Sequence, residues 1–260
     1  TDAGKSWLEA FHHPDVDAGN AEKRHGAKEL HIAQSNPGVV YAGFAQNRLF
    51  TEPRKEDFTD SFGVYKSVDA GTSWTEKNSG LETASKNITA MVVSDSDPNL
   101  VYIGLREGGI YKTIDGANNW TKISNTDLDA TGIYALAIST TNDSTQIYAG
   151  TSTQGIYKSS NDGSSWTKVL SQVTATNADL PLAESDTKLI RSIQIDLNDA
   201  SIIYAADWYS GVYVSHDAGS NWELMNEGLR VRAINDLEIS SDGKVLYAVT
   251  RGEGVFKIFI

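Results

Sequence analysis

Short runs of apolar residues, separated by turn-forming residues, recur along the whole chain. The segments Gly63–Ser67 (GVYKS) and Gly211–Ser215 (GVYVS) are typical of these runs. They are rich in β-branched and aromatic residues, which favour strands, and are bounded by Gly, Asp, Asn and Ser, which favour turns. The pattern therefore predicts an all-β protein made of many short strands.

The same strand-and-turn unit is repeated along the chain, and repeats of this kind determine the fold. Each unit has a strand like Gly-Val-Tyr-Lys-Ser, followed by a box of the form x-Asp-x-Gly-x-x-Trp. The copies with both halves are at 63–74, 109–120, 155–166 and 211–222. Residues 1–7 contain a box without its strand, and residues 254–257 contain a strand without its box.

The box has the residues of a locked hairpin turn. Ser and Asp side chains can accept hydrogen bonds from turn N–H groups, Gly supplies a positive φ, and Trp offers a large apolar face. We therefore assign a structural role to the box positions Asp2, Trp7, Asp69, Trp74, Asp115, Trp120, Asn161, Trp166, Asp217 and Trp222. Two copies deviate, since Ala117 replaces the glycine and Asn161 replaces the aspartate. A turn lock tolerates such changes better than a catalytic group does.

These repeats resemble the Asp-box, or bacterial neuraminidase, repeat along nearly the whole chain. The superfamily includes sialidases, xyloglucan-degrading glucanases, sortilin-type receptors and photosystem assembly factors. Several boxes in register make the resemblance specific. It implies a β-propeller of four-stranded blades, but it implies no single activity, because function depends on sites placed on folds.

The repeat predicts one domain over residues 1–260, with five four-stranded blades closed by the N-terminal strand at 5–11. The blades are expected at about 28–82, 87–126, 132–172, 189–228 and 233–260. The half copies at the two ends motivate the closure, because each supplies what the other lacks. A fragment of a larger propeller is the alternative, because the first box lacks its leading Ser or Thr.

Three segments interrupt the repeat. Successive box positions are 67, 46, 46 and 56 residues apart, so two intervals contain extra chain. We place the inserts at about 10–28, 44–62 and 170–188. Because strands alternate in direction, all three should emerge on one face, and insertions in repeat proteins usually map to the binding face.

The predicted ligand-binding residues belong to the same face. They are Arg48, Arg106, Glu107, Arg191, Asp207, Trp208, Tyr209 and Arg251. Trp208 and Tyr209 can form a stacking platform for a sugar or an anchor for a protein, unless Trp208 folds down onto an insert. The arginines can bind a carboxylate through paired N–H donors. One aligned column at the start of the inner strands, expected to line the channel mouth, contains Lys28, Thr89, Tyr134, Arg191 and Asn235.

Evidence for catalysis is weaker than evidence for binding. The Arg-Ile-Pro signature of sialidases is absent, and no pair of carboxyls can be placed at a glycosidase separation from sequence. The candidate catalytic carboxyls are Glu29, Glu107, Asp207, Asp236 and Glu253. We assign no catalytic residue and favour a non-catalytic binding or scaffold propeller that engages a glycan or a protein. A glycoside hydrolase of sialidase or xyloglucanase type, or a part of one, is the alternative.

The composition of the chain limits the classes of partner that it can bind. The chain has 260 residues, a formal net charge of −12 and no cysteine. The negative charge argues against nucleic acid and anionic membranes, and no apolar window is long enough to span a membrane. The cluster of His12, His13, Asp15, Asp17, His25 and His31 fits no recognised metal motif. We expect no cofactor and no metal, a location outside the cell, in the periplasm or on the cell surface, and leave the oligomeric state open.

Overall fold

The computed structural model describes residues 10, 25–46, 63–81, 86–141, 144–170 and 188–260. These residues form antiparallel sheets, together with one short helix, α1 (Thr126–Asp129). No helix in the described ranges is long and apolar enough to cross a membrane. The all-β class predicted from the short apolar runs is confirmed.

Each sheet is a meander whose strands follow one another in chain order. The first sheet contains β1 (His25–Ile32), β2 (Val40–Gln46), β3 (Gly63–Ser67) and β4 (Thr75–Glu76). The second contains β5 (Ile88–Val93), β6 (Val101–Leu105), β7 (Ile110–Thr113) and β8 (Thr121–Lys122). The third contains β9 (Ile133–Thr141), β10 (Ser144–Thr151), β11 (Ile156–Ser159) and β12 (Thr167–Leu170).

The last two sheets follow the same order. The fourth contains β13 (Ile190–Ile195), β14 (Ile203–Asp207), β15 (Gly211–Ser215) and β16 (Glu223–Leu224). The fifth contains, among the described residues, β17 (Ile234–Ile239), β18 (Val245–Thr250) and β19 (Val255–Phe259). The five sheets of the described residues therefore coincide with the five blades predicted from the repeat.

The chain divides into two compact units, residues 1–103 with 112–121 and residues 104–111 with 122–260. In the first unit, Ala42, Phe44 and Tyr65 form a buried cluster against which Trp74 packs. In the second unit, the third and fourth sheets enclose one apolar core and the fourth and fifth sheets enclose another. Such cores explain the repeat, since a single sheet cannot bury its apolar faces alone.

The box turns are held by two side chains. In the first sheet, the Ser67 hydroxyl accepts the Gly71 N–H at 2.8 Å, and Asp69 Oδ1 accepts the Ser73 N–H at 2.8 Å. Gly71 has a φ of 86°, a left-handed conformation that glycine adopts without strain. In the deviating copy, Ala117 adopts a φ of 68° at the glycine position, and its N–H bonds the Thr113 hydroxyl at 3.0 Å. The turn therefore keeps its shape when the glycine is lost.

The box tryptophans join neighbouring segments. Trp120 Nε1 donates to the carbonyl oxygen of Lys77 at 2.8 Å, and Trp166 Nε1 donates to that of Ile123 at 2.8 Å. Each acceptor is the third residue after the preceding box tryptophan. Trp74 Nε1 donates in the same way to the Ala10 carbonyl at 3.2 Å, and Ala10 is the third residue after Trp7.

Ala10 thus has the same relation to Trp74 that Lys77, the residue after β4, has to Trp120. Apart from Ala10, the predicted closing strand at 5–11 lies outside the described residues, as do Asp2 and Trp7. Closure by this strand and the single-domain organisation therefore stay predictions.

The box aspartates should make stability depend on pH in acid. The residue four positions after each aspartate donates through its side chain and its backbone N–H. These bonds are the largest causes that lower the pKa of Asp69, Asp115 and Asp217 to about 2. An aspartate in the unfolded chain has a pKa of about 4. The contribution of these three carboxylates to the free energy of unfolding is therefore present above about pH 4 and is lost as the pH falls towards 2. Melting temperature should therefore drop in this window.

The third sheet supplies the control for this prediction. Its box contains Asn161, whose Oδ1 accepts the Ser165 N–H at 2.8 Å without a titrating carboxyl. Replacing Asp69, Asp115 and Asp217 by asparagine should therefore keep the turns and flatten the acid dependence of the melting temperature. An unchanged acid profile in the triple variant would show that these carboxyls do not set it.

Candidate functional site

Two aromatic residues lie in the turn that follows β14. We name Trp208 and Tyr209 the aromatic turn. Tyr209 is 39% exposed, whereas Trp208 is only partly exposed. The Trp208 N–H donates to the Leu189 carbonyl at 2.9 Å, which ties the turn to the chain that enters β13.

Arginines and aromatic rings alternate around the aromatic turn. The Arg191 guanidinium carbon lies 5.8 Å from the Tyr134 ring centroid and 5.6 Å from the Trp208 ring centroid. The Arg251 guanidinium carbon lies 5.2 Å from the Trp208 ring centroid. We name Tyr134, Arg191, Trp208 and Arg251 the arginine ladder. Cation–π contacts of this kind hold each guanidinium against a ring face.

The ladder leaves the edges of both guanidinium groups available. The Arg251 backbone N–H donates to the Ala233 carbonyl at 2.9 Å, but within the described ranges neither the Arg191 nor the Arg251 guanidinium donates a hydrogen bond or forms a salt bridge. A guanidinium that uses its face for an aromatic ring still has N–H donors in its plane, and these match the two oxygens of a carboxylate. The arrangement can therefore bind an anionic group with fixed geometry.

The same contacts change the expected role of Trp208. A sugar would need the indole face that Arg191 and Arg251 approach, so Trp208 orients cations in this structure rather than offering a free platform. Tyr209, the more exposed neighbour, is the aromatic side chain open to stacking. The sequence leaves open that Trp208 folds down onto an insert, and most of each insert lies outside the described residues.

Asp207 differs from the sequence-based expectation. The sequence predicts a ligand-binding residue at the surface of the turn, but Asp207 is 0% exposed. Its Oδ1 accepts the Tyr209 N–H at 2.9 Å, and its Oδ2 lies 3.6 Å from Lys188 Nζ. Burial raises the pKa of this carboxyl, against the opposing effect of the Tyr209 N–H and Lys188. Asp207 therefore supports the turn from below and does not reach its surface.

The other predicted site residues are placed less fully. Arg106 is partly buried in the turn between β6 and β7, and its Nε has no hydrogen-bond partner among the described residues. Glu107, next to it, is exposed. Arg48 lies outside the described residues, as does most of each insert. A role for Arg48, Arg106 and Glu107 in binding stays a prediction.

Two residues of the site were missed as binding candidates. Tyr134 had been noticed only as part of the variable column at the start of the inner strands, and that column was the signal for it. The sequence places Lys188 at the end of an insert, and nothing in its local sequence shows that it pairs with Asp207. Within the described ranges, no group of three or more His, Asp or Glu side chains is placed to hold a metal ion.

A cavity of about 110 Å³ lies elsewhere in the second unit. Its walls are mostly apolar and include Val212, Met225, Leu229, Leu246, Phe256 and Ile258. None of the ladder residues lines it. The cavity is therefore separate from the arginine ladder.

Comparison with known proteins places the chain among Asp-box proteins. The family model described as "Sortilin, neurotensin receptor 3" (Sortilin-Vps10) matches residues 63–207, which is more than half of the chain. No curated protein matches the chain at a significant level.

Solved structures show the fold. A GH74 enzyme of Niastella koreensis is 21% identical with a TM-score of 0.64, over 90% of this chain and 35% of that one. The GH74 xyloglucanase of Xanthomonas campestris is 14% identical with a TM-score of 0.65, over 90% and 36%. YCF48 of Cyanidioschyzon merolae is 12% identical with a TM-score of 0.56, over 91% and 72%.

The chain thus spans about a third of the length of the two GH74 structures. At these identities the likeness establishes the fold and leaves activity open. The β-propeller predicted from the Asp-box repeat is confirmed.

Proposed function

We propose that this chain, which belongs to the Sortilin-Vps10 family, is a non-catalytic binding propeller that engages a glycan or protein partner through the arginine ladder. The observation that carries the proposal is the pair of guanidinium groups held against aromatic rings with their N–H edges unpaired in the described part of the chain. Such a site recognises a carboxylate of the partner. A location outside the cell, in the periplasm or on the cell surface belongs to the same proposal.

Catalysis finds less support at this site. A glycosidase needs one carboxylic acid with a raised pKa beside a second carboxyl, both in reach of the substrate. Burial raises the pKa of Asp207, but the same burial keeps Asp207 from any substrate on the surface. The carboxyl nearest to the aromatic turn in sequence is therefore a structural group.

Two pairs of probes test the proposal, because one member of each pair carries a carboxylate and the other carries none. The pairs are 3′-sialyllactose against lactose, and a six-residue peptide with a free C-terminal carboxylate against its amide. The free-carboxylate member of one pair should bind in calorimetry, and its neutral partner should bind more weakly. The pair that responds distinguishes a glycan from a protein partner.

The same preparation should release no reducing sugar from xyloglucan and no product from chromogenic sialosides. Turnover of either substrate would favour the alternative of a glycoside hydrolase. Equal binding of the charged and neutral probes would exclude carboxylate recognition by the ladder.

A further inference from the structure

A buried ion pair lies directly under the aromatic turn. Asp207 is 0% exposed and Lys188 is 7% exposed, and their Oδ2 and Nζ atoms are 3.6 Å apart. The Lys188 ammonium also donates to the Ser210 hydroxyl at 2.9 Å and to the Tyr213 hydroxyl at 3.0 Å. Ser210 and Tyr213 are themselves buried, so the network has no direct contact with a ligand at the surface.

Stability does not explain this pair. Asp207 Oδ2 has no hydrogen-bond partner in the described part of the chain, and the ion pair at 3.6 Å is loose. The desolvation of two buried charges commonly cancels their attraction, so apolar residues of similar volume are often as stabilising.

Asp207 and Lys188 form hydrogen bonds within and just after the aromatic turn. Asp207 Oδ1 accepts the Tyr209 N–H at 2.9 Å, and Lys188 bonds Ser210, the residue that follows Tyr209. The Leu189 carbonyl accepts the Trp208 N–H at 2.9 Å, and Lys188 itself forms a parallel bridge with Gln154. The turn is thus fixed to the chain that enters β13.

The same stretch of chain carries Arg191, the second residue of β13. The buried contacts at residues 188 and 189 therefore set the separation between Arg191 and Trp208, which is 5.6 Å in the structure. A rotation of the aromatic turn would change the position of the Trp208 ring relative to both arginines. The positions of Arg191 and Trp208 relative to each other therefore depend on buried atoms that no ligand at the surface contacts.

We infer that Asp207 and Lys188 are positioning residues, whose ion pair holds the aromatic turn so that Trp208 lies against Arg191 and Arg251. This inference deepens the proposed function and rests on it for the effect on binding. The placement of Trp208 can nevertheless be measured without any ligand, because indole absorption and emission respond to a nearby guanidinium.

The test uses Asp207→Asn, Lys188→Met and the double variant. The contribution of Trp208 to near-ultraviolet circular dichroism and to fluorescence is isolated in each background by subtracting the Trp208→Phe spectrum. Each single variant leaves one buried charge unpaired, so both the melting temperature and the Trp208 signal should fall. The double variant leaves no unpaired charge, so its melting temperature should recover while the Trp208 signal stays lost.

A purely stabilising pair predicts a different result, because the signal would return together with the melting temperature in the double variant. That result, or an unchanged Trp208 signal in all three variants, overturns the inference. If the single variants fail to fold, the double variant alone decides.

Asp199→Asn is the matched control. Asp199 is an exposed carboxyl in the loop before β14, and its Oδ1 accepts the Ser201 N–H at 2.9 Å. It should leave the Trp208 signal unchanged.

Binding separates this inference from the proposed function. The double variant should bind 3′-sialyllactose or the free-acid peptide about tenfold more weakly than the wild type, which corresponds to 1.4 kcal/mol. If the wild type binds neither probe, the proposed function fails and the spectra still decide on positioning. If the wild type binds and the double variant keeps both the Trp208 signal and the affinity, positioning fails and the proposed function stands.

Discussion

Replacing Trp120 by alanine should lower the free energy of unfolding by about 3–5 kcal/mol, the largest effect expected for a single substitution in this protein. The Trp120 side chain is only 4% exposed, so its removal leaves a cavity. Its Nε1 donates to the Lys77 carbonyl at 2.8 Å, and alanine cannot replace that bond. Denaturant unfolding followed by circular dichroism measures the loss, provided that the slope of the transition is unchanged.

Trp222→Ala is the matched control. Trp222 is more exposed than Trp120, and its Nε1 bonds the Gly219 carbonyl of its own box at 3.0 Å. Its loss should therefore cost less. Equal and small costs for the two variants would mean that the box tryptophans contribute little to the packing between sheets.

Replacing Arg191 by alanine should weaken binding of the carboxylate probe by about 10- to 100-fold while leaving the unfolding transition in place. Arg191 contacts two rings of the ladder, Tyr134 at 5.8 Å and Trp208 at 5.6 Å, and its N–H edge is the proposed donor to the ligand. Arg191 is partly exposed, and its guanidinium donates to no group in the described part of the chain, so its loss should cost little stability. Calorimetry with 3′-sialyllactose and with the free-acid peptide measures the change.

Lys244→Ala controls for the loss of one positive charge. Lys244 is exposed and lies in the loop between β17 and β18, at the opposite end of β18 from Arg251. Its replacement should leave the affinity unchanged. If the Arg191→Ala variant binds the probe as well as the wild type, the arginine ladder is not the binding site. A similar loss in Lys244→Ala would show that net charge, rather than a fixed guanidinium, attracts the probe.

The repeat made the sheets predictable. Each box ends in a tryptophan, and a short outer strand follows at once in four copies, as in β4 after Trp74 and β12 after Trp166. The prediction works because strand, turn and tryptophan are local features that recur with the same spacing. The hydrogen bonds of the Asp box could also be predicted from the sequence, because Asp69 and Asp217 accept from N–H groups only four residues away.

The site was predictable only in part, because its contacts join residues far apart in sequence. Arg191, Trp208 and Arg251 were all selected, yet nothing in the sequence showed that both arginines lie over one indole ring. Asp207 was misplaced because a carboxylate beside two aromatic residues in a turn is usually exposed. Its burial depends on Lys188, and local patterns do not show such pairs.

The arginine ladder as a carboxylate-binding surface is tested most directly by following the Nε–Hε signals of Arg191 and Arg251 in nitrogen-15 NMR spectra. The protein is titrated with 3′-sialyllactose and, separately, with the free-acid peptide, and assignments come from the Arg191→Ala and Arg251→Ala variants. We predict that one of the two probes shifts both signals in a saturable way, and that its neutral counterpart, lactose or the peptide amide, does not. A probe that binds without moving either signal, or a titration in which neither probe has any effect, would contradict the account.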